Sequence, residues 1–231
     1  MDLIFDGIAE AVRLLAAGDP EVVAITILTL KISGSATAIS TCIGISAGTA
    51  IALLRFPGRG FIISLVNTGM GLPPVVVGLF VTLFIWRSGP LGILGLLYTP
   101  AAMVIAQIVI AAPIITGVSL AAMQRLPARL RLQVLALGAT RRQMVWILMK
   151  EARLPLLTAV MAGFGGVVSE IGASIMVGGN IKGYTRVLTT ATVMETGKGN
   201  FSLAIALSII LLILAFVVNY TLTAVQQRKV K

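Results

Sequence analysis

Residues 124–153 read QRLPARLRLQVLALGATRRQMVWILMKEAR, about thirty residues between two long apolar runs. A plain connection between antiparallel helices needs only two to eight residues, so this stretch has a task of its own. Leu130, Leu132, Val134, Leu135 and Leu137 supply an apolar face, Gly138 can take the positive φ that ends or turns a helix, and Ala139-Thr140 can cap a new one. Met144, Ile147 and Leu148 then repeat at helical spacing. The pattern predicts two short basic helices joined at Gly138. A solvated loop that merely carries charge is the alternative, and the apolar face speaks against it.

Around this stretch the chain is built for lipid. Of its 231 residues, 58% are hydrophobic and 11% charged, where a soluble domain carries roughly a quarter charged residues. A bilayer is crossed by about twenty apolar residues in a helix. Residues 20–54, 61–86, 99–123, 154–178 and 201–225 meet that length, the first with some excess. The predicted fold is therefore an all-α integral membrane protein of about five transmembrane helices in a single domain, 1–231. Residues 1–18 form an outer interfacial helix and 124–153 a cytoplasmic loop. In the N-terminal segment Asp2, Asp6, Glu10 and Arg13 share one face and Ile4, Ile8, Val12 and Leu15 another, as an interfacial helix requires. Its acidic start and missing compact apolar core argue against a signal peptide.

Charge then orients the spans. Arg55, Arg59, Arg125, Arg129, Arg131, Arg141, Arg142, Lys150, Arg153, Arg228, Lys229 and Lys231 fall on one side of the bilayer. Arg13, Arg87, Lys182, Arg186 and Lys198 fall on the other, diluted by Asp2, Asp6, Glu10, Asp19, Glu21 and Glu195. The positive-inside rule places the larger set in the cytoplasm, hence the N-terminus outside and the C-terminus inside a cell membrane. The net charge of +10 is thus mainly a matter of topology, and nucleic acid is not an expected partner.

Much chemistry is excluded by composition. With no His and one Cys, the chain cannot assemble a His- or Cys-ligated metal site, a disulfide of its own, or an imidazole-assisted nucleophile. No phosphate loop of the form Gly-x-x-x-x-Gly-Lys-Ser/Thr occurs, so ATP cannot be bound in that manner and energy must come from a partner. Neither a catalytic residue nor a metal ligand nor a cofactor of its own is expected.

Span two carries Pro73 and Pro74 near its midpoint. Prolines there remove amide donors and free carbonyls at about Gly69 and Met70. Such a break is tolerated where it meets protein or a water-filled cavity, and transporter substrate sites often lie at that depth. Asn67, Thr68, Gly69, Met70, Pro73 and Pro74 are accordingly the candidate translocation path; a Pro kink packed on its neighbours is the bland alternative. Two charges lie inside spans. At 1.5 Å per residue, Lys31 is about 14 Å and Glu170 about 12 Å from the outer ends of their helices, so the two are expected to pair. Otherwise Lys31 faces the path and attracts an anion. Small residues should set helix packing through two ridges, Ala36-Ser40-Gly44-Gly48-Ala52 and Gly165-Ser169-Ala173, with Cys42 a small filler.

The segment Leu135-Ala136-Leu137-Gly138-Ala139-Thr140-Arg141-Arg142-Gln143-Met144, followed by Leu154-Pro155, resembles the cytoplasmic coupling loop of ABC importer permeases. Thr29-Leu30-Lys31-Ile32-Ser33, Ser169-Glu170-Ile171-Gly172-Ala173 and Gly178-Gly179-Asn180-Ile181 are similar to the oxyanion-importing branch of that family. Residues 68–79 and 179–190 look most like tungstate permeases. The resemblance implies an ATP-driven importer permease working by alternating access. It implies a homodimer, two ATPase subunits that hold ATP and Mg, an extracytoplasmic substrate-binding protein, and membrane lipid around the whole. Leu135, Leu137, Gly138, Ala139, Thr140, Arg141 and Arg142 would then touch the ATPase. The implied cargo ranks tungstate first, molybdate second and sulfate third. An ATP-independent anion channel is the alternative class.

Overall fold

A computed structural model describes residues 2–228; Lys229 and Lys231, assigned above to the inner side, lie outside them. Among the described residues the chain is helical with no strand. Three helices are each long and apolar enough to cross a membrane: α2 (Pro20–Leu53), α5 (Pro100–Gln124) and α11 (Phe201–Arg228). Asp19 opens α2 by accepting the Val22 amide at 3.0 Å, and Pro20 occupies the first turn, where a missing N–H costs nothing.

The other two expected spans are not continuous helices. Span two is α3 (Arg59–Met70) and α4 (Pro74–Ile85), bent by 103° at the two prolines. Span four is α8 (Arg153–Val168) and the short α9 (Gly172–Gly178), interrupted at Ser169–Ile171. Hydropathy registers both halves of such a pair as one apolar run, because it measures transfer cost and not backbone direction.

The centre of the fold is α5. Along α2 the ridge Ala36-Ser40-Gly44-Gly48 is buried, as expected, and it faces α5. A Cβ on Gly48 would stand 2.6 Å from the Thr116 carbonyl oxygen and 2.9 Å from the Leu120 amide, so the two backbones touch there. The α8 side uses Gly163, whose missing Cβ makes room for Ile115. The predicted second ridge does not form. Gly165 faces open space, Ser169 is exposed, and only Ala173 is buried, because the break at Ser169–Ile171 rotates the rest of the ridge away. Cys42 is exposed on α2 and fills no gap.

The N-terminal helix α1 (Asp2–Ala17) runs along α11, with Gly7 against Ile205 and Ala11 buried. Its stripe Ile4, Ile8, Val12 and Leu15 is exposed, pointing away from the protein. At the same end, α10 (Leu188–Gly197) caps the bundle. The Leu188 amide donates to Thr29 Oγ1 at 2.9 Å, and Val22, Ile25, Leu188, Ala191, Leu207 and Ile210 form one apolar cluster. In the last turn of α10, Glu195 accepts from Lys198 Nζ at 2.8 Å and from Asn200 Nδ2 at 3.2 Å. The hydrogen bond from Lys198 holds the Glu195 carboxyl below the usual carboxylate range against the opposing effect of burial; Asn200 and the charges of Lys198 and Arg186 assist.

Two outcomes follow. Gly48→Ala should lower the unfolding free energy by about 1–3 kcal/mol through overpacking, whereas Gly34→Ala, with no atom within 4 Å of the added carbon, should be nearly neutral; unfolding midpoints of the two in detergent compare them. Because the folded carboxyl of Glu195 titrates low, its contribution is fully present above the unfolded value of about 4.3 and is lost as pH falls through the lowered folded value. The Tm advantage of the parent chain over Glu195→Gln should therefore shrink on acidification; an unchanged gap would show that the ionised carboxylate is not its source.

Candidate functional site

Two broken helices leave polar backbone ends in an apolar medium, and the fold packs the half-helices that follow the two breaks, α4 and α9, against each other. At the first, Pro73 and Pro74 have no N–H to return to Gly69 and Met70, so α3 stops. The Gly71 amide donates to the Thr68 carbonyl at 3.0 Å and the Leu72 amide to Gly69 at 3.4 Å. The Gly69 carbonyl, expected to be free, is thus taken by a tighter turn. The end of α3 leans on α5: a Cβ on Gly69 would meet Pro113 at 2.8 Å, and Met70 Sδ lies against Gly117. Asn67, Thr68, Met70 and Pro73 are exposed, while Gly69 and Pro74 are partly covered.

At the second break Glu170 is buried, and its Oε1 accepts the Ala173 amide at 2.9 Å, closing the first turn of α9. Its carbonyl accepts from Thr189 Oγ1 at 3.2 Å. α4 and α9, each starting just after its break, pack together: a Cβ on Gly78 would stand 2.7 Å from Ala173 Cα, and one on Gly172 would stand 2.8 Å from Val75 Cγ2. The candidate path residues 67–74 and Glu170 therefore belong to one locus, although about a hundred residues separate them in the chain.

Lys31 does not join it. Among the described residues no ion pair contains Lys31 or Glu170. Helical rise matched their depths, but rotation about the α2 axis decides direction. Lys31 shares the exposed face of Ile27 and Leu30, while Thr29, Ile32 and Ser33 face the core. Lys31 instead lines a cleft of about 520 Å³ with Glu21, Lys182, Tyr184 and Arg186. There Glu21 accepts from Lys182 Nζ at 2.7 Å and lies 3.5 Å from Arg186 Nη1. No local spacing could have announced that contact, which joins residues 165 positions apart in the chain; the Glu195–Lys198 pair, three residues apart, was legible in principle.

The third element is the elbow. α6 (Ala128–Ala136) and α7 (Arg141–Glu151) form as predicted and meet at Gly138, φ 84°. Thr140 and Gln143 cap α7 reciprocally: the Gln143 amide donates to Thr140 Oγ1 at 3.3 Å, and the Thr140 amide to Gln143 Oε1 at 2.8 Å. The predicted apolar face, however, splits. Val134 and Leu130, with Met144 and Leu148, pack on Met123 and Leu156. Leu132, Leu135 and Leu137 point outward, Leu137 being 87% exposed beside exposed Arg141 and Arg142. Leu132 and Leu135 stand on another face from Leu130 and Val134, whereas Leu137, although three residues after Val134, is the C-cap beyond the last residue of α6. Arg131 Nη1 reaches the Leu53 carbonyl at 3.3 Å, tying the elbow to the end of α2.

Residues 40–231 match the family model for the inner membrane component of binding-protein-dependent transport systems. The chain is 42% identical over 202 residues to a probable anion ABC transporter permease protein of Haloferax volcanii, covering 85% of this chain and 87% of that one. It is 34% identical over 227 residues to the tungstate uptake system permease protein TupB of Peptoclostridium acidaminophilum, covering 98% and 100%. In fold it is similar to the permease of the MetNI methionine ABC transporter in an inward-facing conformation, with a TM-score of 0.76 and 22% identity over 90% of this chain and 95% of that one. The chain belongs to the family of binding-protein-dependent transport system inner membrane components, as a membrane-embedded permease subunit.

Proposed function

We propose that this permease moves an oxyanion, tungstate before molybdate or sulfate, into the cytoplasm as one half of a homodimer driven by two separate ATPase subunits. The observation that carries the cargo is the full-length similarity to a tungstate uptake permease, reinforced by the anion permease relative. The mechanism is read from this chain's own parts. The positive-inside distribution puts the elbow in the cytosol and the α10 cap outside, where a substrate-binding protein delivers the anion. Exposed Leu132, Leu135 and Leu137, flanked by Arg141 and Arg142, offer the ATPase an apolar core with a basic rim, as a protein interface favours. The partner binds ATP and Mg; closure of the ATPase pair draws the two elbows together.

The elbow is fused to the bundle through Val134, Met144 and Leu148 and through Arg131 on α2, so its displacement reaches the spans as a lever. The bend at Pro73 and Pro74 is where a span can yield at least cost, because neither proline has an amide to donate to the preceding turn. Asn67 and Thr68 offer uncharged polar contacts to a passing dianion. One fixed cation at the centre would hold the anion too tightly for turnover, and Lys31 stands off, in the outer cleft, where it raises the local anion concentration. Glu170 serves as the cap of α9 and keeps the second break rigid.

Reconstituted with its ATPase and binding protein, the permease should take up tungstate only with ATP; uptake without nucleotide would favour the channel. Leu137→Asp should cut uptake at least about tenfold by burying a charge at the interface, with ATPase co-purification reduced. Gly138→Asn should be tolerated, since Asn accepts the left-handed region, whereas Gly138→Val should not. Pro73→Ala with Pro74→Ala restores two amide donors and should straighten α3 onto α4. Transport should fall by roughly tenfold or more with assembly intact; unchanged transport would remove the gating role.

A further inference from the structure

α7 and α8 meet at 70°, so one of them lies across the direction of the other. Since α8 continues as an apolar helix, the corner between them falls at the boundary of hydrocarbon and water. A groove of about 480 Å³ opens in this corner. Ile45 of α2 and Leu157 and Val160 of α8 line it on the span side, while Lys150 and Arg153 supply two exposed cations and Trp146 an indole 69% exposed.

We propose that this groove binds one anionic phospholipid of the inner leaflet, its phosphate between Lys150 and Arg153 and an acyl chain along Ile45, Leu157 and Val160. Each wall has the chemistry that one part of the lipid requires. Basic pockets between spans on the cytoplasmic side attract anionic headgroups, and Trp prefers the interfacial level, where its ring meets chains and its N–H meets water. A free tetrahedral anion could use the two cations but would leave the apolar wall uncovered. The assignment to the inner leaflet rests on the positive-inside orientation; the groove's preference for an anionic lipid does not. Because the groove lies where α7 turns into α8, a bound lipid stiffens the joint through which the elbow moves the bundle, and it makes transport depend on the anionic lipid content of the membrane.

The chain holds two tryptophans, Trp86 and Trp146, so Trp86→Phe leaves the groove's indole as the sole reporter. The full chain is reconstituted in phosphatidylcholine vesicles holding a minor fraction of either phosphatidylglycerol or phosphatidylcholine with brominated acyl chains. Trp146 quenching by the brominated anionic lipid should exceed that by the neutral one by on the order of threefold at equal fraction, since each nearby cation favours the anionic lipid. Lys150→Gln with Arg153→Gln should bring the two to equality without moving the Trp146 emission maximum, which reports that the fold is kept. Equal quenching in the parent chain means contact with bulk lipid only and overturns the proposal. Absence of quenching by either lipid means that protein covers the groove and overturns it as well. Relief of quenching by soluble phosphate or tungstate would assign the cations to a free anion instead.

Discussion

In hydrocarbon an unpaired amide or carbonyl has no water to turn to, so a membrane helix can be broken only where something else covers the break. This chain breaks two of its spans and packs the half-helix that follows one break against the half-helix that follows the other. α4 begins at Pro74 and α9 at Gly172, and Gly78 against Ala173 lets the two half-helices approach to backbone contact. Glu170, buried between them, spends its carboxylate on the Ala173 amide. The contact of Gly78 with Ala173 holds α4 to α9, while Gly71, Leu72 and Pro73 of the first break stay exposed. The path, the bend and the motion proposed for them all presuppose it.

Around this pair the bundle is organised on α5, which meets α2, α3, α4, α8 and α9. The contacts share one device, a missing Cβ: Gly48 at Thr116, Gly69 at Pro113 and Gly163 at Ile115. Without a hydrophobic drive to bring helices together in lipid, close approach and dispersion must do so, and glycine permits the closest approach. The consequence is a closely packed centre with the α3–α4 bend at one side. The elbow is anchored to it at Leu53 by Arg131 and at Met123 by Val134 and Met144.

The two ends of the protein use charge differently. On the elbow, Arg141 and Arg142 are exposed beside bare leucines, which suits a surface awaiting a partner. On the cap, Lys182 and Arg186 pair with Glu21 and fasten that segment to the start of α2, while Glu195 and Lys198 pair with each other at the end of α10. Lys31 stands just below that fastening, where it can act on an anion without being neutralised by Glu170.

The amino-acid sequence by itself determined the apolar runs, the elbow with its turn at Gly138, its cap at Thr140, and the break at Pro73 and Pro74. Each is a local matter: a run length, a φ value that glycine reaches cheaply, a hydroxyl three residues from an amide, an absent N–H. Tertiary structure alone decided that the Pro73 break meets the Glu170 break, that Lys31 turns outward to Glu21 and Arg186, and that Leu132, Leu135 and Leu137 stay bare while Leu130 and Val134 are buried. Those facts depend on the rotation of each helix about its axis and on which neighbour fills the space beside it. Rise along a helix can be counted from the sequence; rotation is fixed only when the whole set of helices has packed.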